Sequence, residues 1–265
     1  MKPTKNPKFY SVPAIQRTLD LIETMASSHH ELTITEANRK FKIPKSSVYA
    51  ILQTLKSRGY VEKNAHDQYF LTLKLFSLGS SLIDTLDLRR VALPYLKELT
   101  EKSGITGHIA IRDNAYAVYI EKIEVLGAVR LTTRVGKRMP VHSTSIGKAL
   151  IAHLPEKEID SILAESGLPR LTRRTITVRR EFKKELARVR AMGYAVSNEE
   201  NEDGVRAVAA PIFDHDGRVI AAVNLGASSI QIKTEDFPAL GKLVCSSATR
   251  MSKALGYRGN ETNQS

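Results

Sequence analysis

The chain has one cysteine, Cys245, no tryptophan, and no apolar run near the roughly 18 residues that a membrane span requires. A single thiol cannot build an intrachain disulfide framework, so a stapled secreted scaffold is excluded and a reducing cytoplasm is the expected location. Met1 to Tyr10 is basic and polar and lacks the apolar core of a secretory signal. The seven histidines show no metal-ligand spacing, His29 and His30 being adjacent and the others scattered. No nucleotide-binding glycine pattern occurs, and no Gly-x-Ser-x-Gly elbow frames Ser143 or Ser145. No cofactor, metal or catalytic residue is therefore expected.

What is present is ordinary globular material, 42% hydrophobic and 26% charged over 265 residues, enough for one small and one medium domain. The net charge of +12 points to a polyanionic partner without naming it. Residues 1–72 hold 11 Lys and Arg against 6 Asp and Glu, nearly twice the positive charge per residue of the remainder. That favours nucleic-acid contact in the first segment.

Along that segment, Ile15, Leu19, Ile22 and Met25 recur at helical spacing from Pro13 onward. Thr33 and Glu36 then form a capping box opening a short helix that ends near Phe41. Lys42-Ile43-Pro44 turns the chain into a third helix, whose Val48, Ile51, Leu52 and Leu55 form a buried stripe and which Gly59 stops. Two strand-like runs, 60–63 and 68–71, flank the turn Asn64-Ala65-His66-Asp67. Helix, short helix, turn, helix and hairpin spell a winged helix-turn-helix over 10–72, the alternative being a small helical subdomain with an incidental hairpin.

The outer face of the third helix decides between them. It carries Lys45, Ser46, Ser47, Tyr49, Gln53, Thr54 and Lys56, with no acidic residue from Phe41 to Thr54. A helix entering the major groove must avoid repelling phosphates, and hydroxyls and amides on it can meet base edges. Lys63 on the wing and Arg17 on the first helix are either phosphate contacts or solvated charges. Pro44-Lys45-Ser46-Ser47-Val48-Tyr49, Leu52-Gln53-Thr54-Leu55 and Gly59-Tyr60-Val61 resemble the DNA-binding domain of IclR-type transcriptional regulators. The likeness continues through 69–75, 134–143, Ser145-Ile146-Gly147-Lys148-Ala149-Leu150, 193–196, 198–201, 204–206 and 209–214. One departure is Ala50, where many members carry Arg.

Residues 73–87 read as a linker helix with apolar positions 75, 78, 82 and 86, facing either a second copy or the chain's own second domain. From 88 to 257, strand-like runs at 108–112, 115–120, 129–135, 194–198, 205–213 and 218–226 alternate with helices near 88–103, 143–153, 155–165, 179–192 and 237–255. Hairpins with helices between them imply an antiparallel sheet in an α+β domain. A polar tail, 258–265, follows. The acidic run Glu199, Glu200, Glu202 and Asp203 reads as solvated surface, and so does the basic run from Arg170 to Lys184, with a DNA-contacting surface as its alternative.

The resemblance implies a GAF-like effector domain whose ligand sits between the sheet and the helix after its third strand. Carried onto this chain, it places the effector beside Ser145 and Ile146 (through their backbone amides), Ser197, Ala207, Asn224 and Gly226. His108 and Arg130 are further polar candidates, with core or surface roles open. The expected molecule is a transcriptional regulator, a repressor before an activator, that binds a double-stranded DNA operator as a dimer or dimer of dimers. A small organic or sugar acid would control it. The alternatives are an enzyme with an accessory DNA-binding module, lacking any visible catalytic constellation, and an architectural DNA binder, which needs no ligand domain.

Overall fold

The computed structural model describes residues 12–28, 31–78, 87–125 and 133–259, which fall into two compact units, 1–85 and 86–265. In the first unit, α1 (Pro13–Ser28), α2 (Ile34–Phe41) and α3 (Lys45–Ser57) precede the antiparallel hairpin β1 (Val61–Lys63) and β2 (Tyr69–Leu71). The capping box forms as expected. The backbone N–H of Thr33 donates to Glu36 Oε2 at 2.8 Å, and that of Glu36 to Thr33 Oγ1 at 3.2 Å. α3 ends in a Schellman motif, with Gly59 at φ +73, Gly59 N–H on Lys56 O and Tyr60 N–H on Leu55 O, both at 2.9 Å. Leu32 pairs with Tyr69 through two backbone bonds, adding a bridge to the wing.

α1 departs from the expected stripe. Leu21 and Met25 enter the core and Ile22 packs beside it, but Ile15 and Leu19 are 58% and 50% exposed, as is Val12 at 56%. At about 100° per residue the helix carries a broad apolar arc, and the core takes only the edge at 21 and 25. Periodicity located the arc but not the edge used. Beyond the wing, residues 74–78 are helical, with Leu73 80% and Phe76 71% exposed. The linker positions 82 and 86 lie outside the described residues.

The second unit is built on a six-stranded, wholly antiparallel sheet of order β5-β4-β3-β8-β7-β6. The strands are β3 (Gly107–Asp113), β4 (Tyr116–Ile123), β5 (Arg138–Pro140), β6 (Ala195–Asn198), β7 (Val205–Phe213) and β8 (Val219–Ser228). Side chains alternate across it. Val208, Ala210 and Ile212 of β7 join one core with α4 (Asp87–Ser103) and α8 (Phe237–Ala254). Ala209 joins the other, with α5 (Ser145–Ile151), α6 (Glu156–Ser166) and α7 (Arg179–Met192).

The strand expected at 129–135 is corrected. Its first four residues lie outside the described ones, and residues 133–135 are not strand. The sheet edge is formed by 138–140 because Gly136, at φ +82, turns the chain. Gly136 N–H then donates to Tyr119 O at 2.7 Å, and Tyr119 N–H to Lys137 O at 3.1 Å.

α5 is pressed against the segment preceding it. A Cβ on Gly147 would lie 2.3 Å from Val141 Cα and 2.6 Å from Val141 O, both backbone atoms. Gly147→Ala is expected to destabilise the protein by about 3 kcal/mol, read as a lower urea midpoint at unchanged slope. A loss below about 0.5 kcal/mol would show that α5 shifts freely.

Candidate functional site

Two places gather the expected residues. The first is the outer face of α3. Lys45, Ser46, Tyr49, Thr54 and Lys56 are exposed and Ser47 is half-buried, while Val48, Leu52 and Leu55 fill the core behind them. Thr54 Oγ1 donates back to Ala50 O at 2.9 Å. Gln53 is half-buried, and its Nε2 donates to the Tyr69 hydroxyl at 3.1 Å, so this side chain braces α3 against the wing as well as facing outward. Lys63 Nζ lies 2.6 Å from Asp67 Oδ1 at the wing tip, and Asp67 holds the ammonium above its ordinary pKa by hydrogen bonding. Both groups are open to water, where such a pair is weak and a phosphate can replace the carboxylate. Arg17 is half-buried on α1.

The second is a cavity of about 250 Å³ between the sheet and the start of α5. Strand register explains its wall. Ser197 on β6 lies opposite Ala207 on β7, and Ala207 opposite Gly226 on β8. His108 on β3 faces Asn224 on β8. These five residues and Ser145 all line the cavity. The side chain of Ile146 does not. It is fully buried in the core beneath α5, so only its backbone is near the helix start. Arg130 lies outside the described residues.

The lining divides by chemistry. His108 is 1% exposed and stacks on Tyr119 with ring centres 4.4 Å apart. Its Nδ1 is 3.0 Å from Asn224 Oδ1 and its Nε2 2.7 Å from Thr133 Oγ1. A neutral ring donating from Nδ1 and accepting at Nε2 satisfies both. Burial pushes its pKa down to about 4 and that of the Tyr119 phenol up to about 12, so both stay uncharged near neutrality. Ser145 is 1% exposed, and its Oγ has no hydrogen-bond partner among the described residues. Ser197 Oγ donates to Ser143 O at 2.8 Å, which leaves its lone pairs toward the cavity.

The acidic run divides: Glu202 and Asp203 are exposed, as expected, whereas Glu199 and Glu200 are structural, which corrects their reading as solvated surface. Glu200 is 8% exposed and bonds at 2.7 Å to the ammonium of Lys148, which is fully buried. Lys148 also donates to Val196 O at 2.9 Å and approaches Glu185 at 3.4 Å. Glu199 takes Arg206 at 2.8 Å and the Gly204 N–H at 3.2 Å, and these bonds, the backbone one first, hold its carboxyl below the usual range. Asn201, Glu202 and Asp203 then line the cavity, as does Lys137. Sequence reasoning missed Tyr119, Thr133, Lys137 and these three. The alternation of β4 would have pointed to Tyr119, but nothing local marks the loop.

A buried neutral His108 sets a pH dependence. Below its ordinary pKa of 6.5 the unfolded chain takes up a proton that the folded chain refuses, so this contribution to stability is full above 6.5 and is lost progressively as pH falls towards 4. The total is on the order of 3 kcal/mol. His142 and His153, also lowered by burial, act in the same direction. In NMR titrations the His108 ring should stay neutral from about pH 8 to 5.5, and His108→Gln should blunt the acid loss of stability. A ring titrating near 6.5 would contradict the buried network.

Among the described residues, no helix is long and apolar enough to cross a membrane, and no cluster of three His, Cys, Asp or Glu side chains could hold a metal ion. The sequence matches known proteins over nearly its whole length. Residues 14–65 match the IclR helix-turn-helix domain, and residues 80–253 the bacterial transcriptional regulator IclR C-terminal domain. The HTH-type transcriptional regulator XynR of Escherichia coli (strain K12) is 35% identical over 247 residues, 93% of this chain and 98% of that protein. The HTH-type transcriptional repressor AllR of the same strain is 29% identical over 248 residues, 93% and 92% of the two chains. The crystal structure of the Thermotoga maritima IclR superposes with a TM-score of 0.79 at 29% identity, over 92% of this chain and 99% of that one. With an α+β fold, a helix-turn-helix unit and both family domains in order, the chain belongs to the IclR family of bacterial transcriptional regulators.

Proposed function

We propose that the chain is a cytoplasmic repressor that holds an operator through α3 and is released when a small organic or sugar acid fills the cavity beside Ser145. The observation that carries the effector half is the Ser145 hydroxyl, buried and without a partner among the described residues on a cavity wall. A buried hydroxyl left unbonded is costly, and a ligand carboxylate would satisfy it. Lys137 supplies positive charge to the same wall, while Asn201, Glu202 and Asp203 offer acceptors to ligand hydroxyls. Ser197 and Asn224 add neutral hydrogen-bonding groups. Among the described residues of the cavity none forms a nucleophile-and-base pair, which favours a ligand-binding domain over an enzyme with an accessory DNA-binding module.

Operator binding is assigned to Lys45, Ser46, Ser47, Tyr49, Gln53, Thr54 and Lys56, with Arg17 and Lys63 as phosphate contacts. Two copies pair through apolar side chains left exposed on the first unit, Val12 just before α1, Ile15 and Leu19 on it, and Leu73 and Phe76 beyond the wing. Apolar surface of that extent favours a partner. Pairing as a dimer, or a dimer of dimers, sets two recognition helices about 34 Å apart or a multiple of it. The domain limits that accompany this reading are 10–72, 73–87 and 88–257.

Lys45→Ala should weaken binding to all duplexes and flatten its salt dependence by about one unit of slope. Unchanged binding would remove α3 from the reading role. In the second domain, Ser145→Phe should fill the cavity, abolishing effector binding by calorimetry while operator affinity stays within about threefold. Normal ligand binding by that variant would place the effector elsewhere.

A further inference from the structure

The basic run of the second unit differs from the rest of its surface. Residues 167–180 contain five arginines, Arg170, Arg173, Arg174, Arg179 and Arg180, and no acidic residue. All five are exposed. Most cations that follow on α7 meet carboxylates: Lys183 holds Glu156 and Asp160, Lys184 holds Glu181, and Arg188 lies near Glu185, while Arg190 donates to the Ala152 carbonyl at 2.7 Å. By contrast, none of the five arginines has a carboxylate of a described residue within 4.0 Å. Arg170 and Arg179 donate to uncharged oxygens, the carbonyls of Arg173 and Leu163, which leaves their charge uncompensated. Arg174 feels Glu199, but that carboxylate is bonded to Arg206. A solvated face ordinarily interleaves both signs.

The segment is also held in place. Leu171 and Thr172 donate their N–H groups to Thr175 Oγ1 at 3.1 and 2.8 Å, and Arg174 N–H donates to Thr172 Oγ1 at 3.1 Å. Thr172 and Thr175 in turn donate to the carbonyls of Glu199 and Glu200, each at 2.7 Å. An ordered backbone carrying free guanidinium groups loses little entropy on meeting phosphates, whose geometry the planar guanidinium matches.

We propose that residues 170–180 form a second phosphate-binding surface, which grips the backbone of double-stranded DNA flanking the bases read by α3. The inference rests on α3 as the reading head. Once α3 is seated, flanking phosphates are presented at high effective concentration, so a modest surface suffices. Acid-free charge and guanidinium chemistry favour a continuous phosphodiester chain over an acidic protein surface, which offers isolated carboxylates.

The test uses the full chain and a duplex selected by it from random sequence, in a short form holding only the selected core and a form extended by about 10 base pairs on each side. Affinities are measured across salt for the wild type and for R173A/R174A/R180A, with urea melts to verify folding. The variant should bind the short duplex as the wild type does. On the extended duplex its log–log salt slope should be shallower by about 0.9 for each phosphate that is no longer neutralised. Superimposable wild-type and variant curves on the extended duplex would overturn the proposal, including the case in which the arginines serve an acidic protein. The Lys45→Ala control reports separately on the reading head, because it should weaken both duplexes equally.

Discussion

The ligand-binding unit depends on one buried charge. Lys148 has no accessible surface, and its ammonium is bonded to Glu200 and to the carbonyl of Val196. Three residues before it on α5 stands Ser145, and just beyond Glu200 runs the loop with Asn201, Glu202 and Asp203. A single ion pair thus ties the two sides of the cavity together. Its desolvation is offset by this pairing, with Glu185 as a second carboxylate 3.4 Å away, and removing Glu200 would strip the buried ammonium of its nearest counter-charge, at a cost of up to about 3–5 kcal/mol. Burial pushes the Glu200 carboxyl above its ordinary pKa, and the neighbouring Lys148 ammonium offsets part of that rise.

The same economy of charge organises the reading head. α3 keeps acids off its outer face and lets Val48, Leu52 and Leu55 do the anchoring behind. Gln53 joins the two roles, because its bond to the Tyr69 hydroxyl fixes the wing relative to the helix. A side chain held by such a bond keeps a set orientation and has less conformational freedom left to lose.

Much of this was legible in residue order alone. The Thr33–Glu36 box, the stop at Gly59 and the helix Arg179–Met192 rest on local rules, and local rules can be read locally. Five of the six positions carried over by resemblance, and one of the two further polar candidates, line one cavity. What escaped depends on distant partners. The burial of Glu200 is dictated by a lysine 52 residues earlier, and no feature of the acidic run itself announces it. The exposed edge of α1 and the late start of β5 escaped for a related reason. Periodicity marks which residues are apolar, and tertiary packing decides which of them are covered.

The row formed by Ser197, Ala207 and Gly226 has an evolutionary consequence. Their backbones are paired across β6, β7 and β8, and the loop beside them is stitched mainly through carbonyl oxygens, including those of Ser143, Glu199 and Glu200. Carbonyls persist whatever side chain a residue carries. If the cavity holds the effector as proposed, ligand preference would drift by single side-chain replacements along this row while the scaffold keeps its shape. A small family of changes at neighbouring positions would suffice to retarget the regulator to a new metabolite without rebuilding its fold.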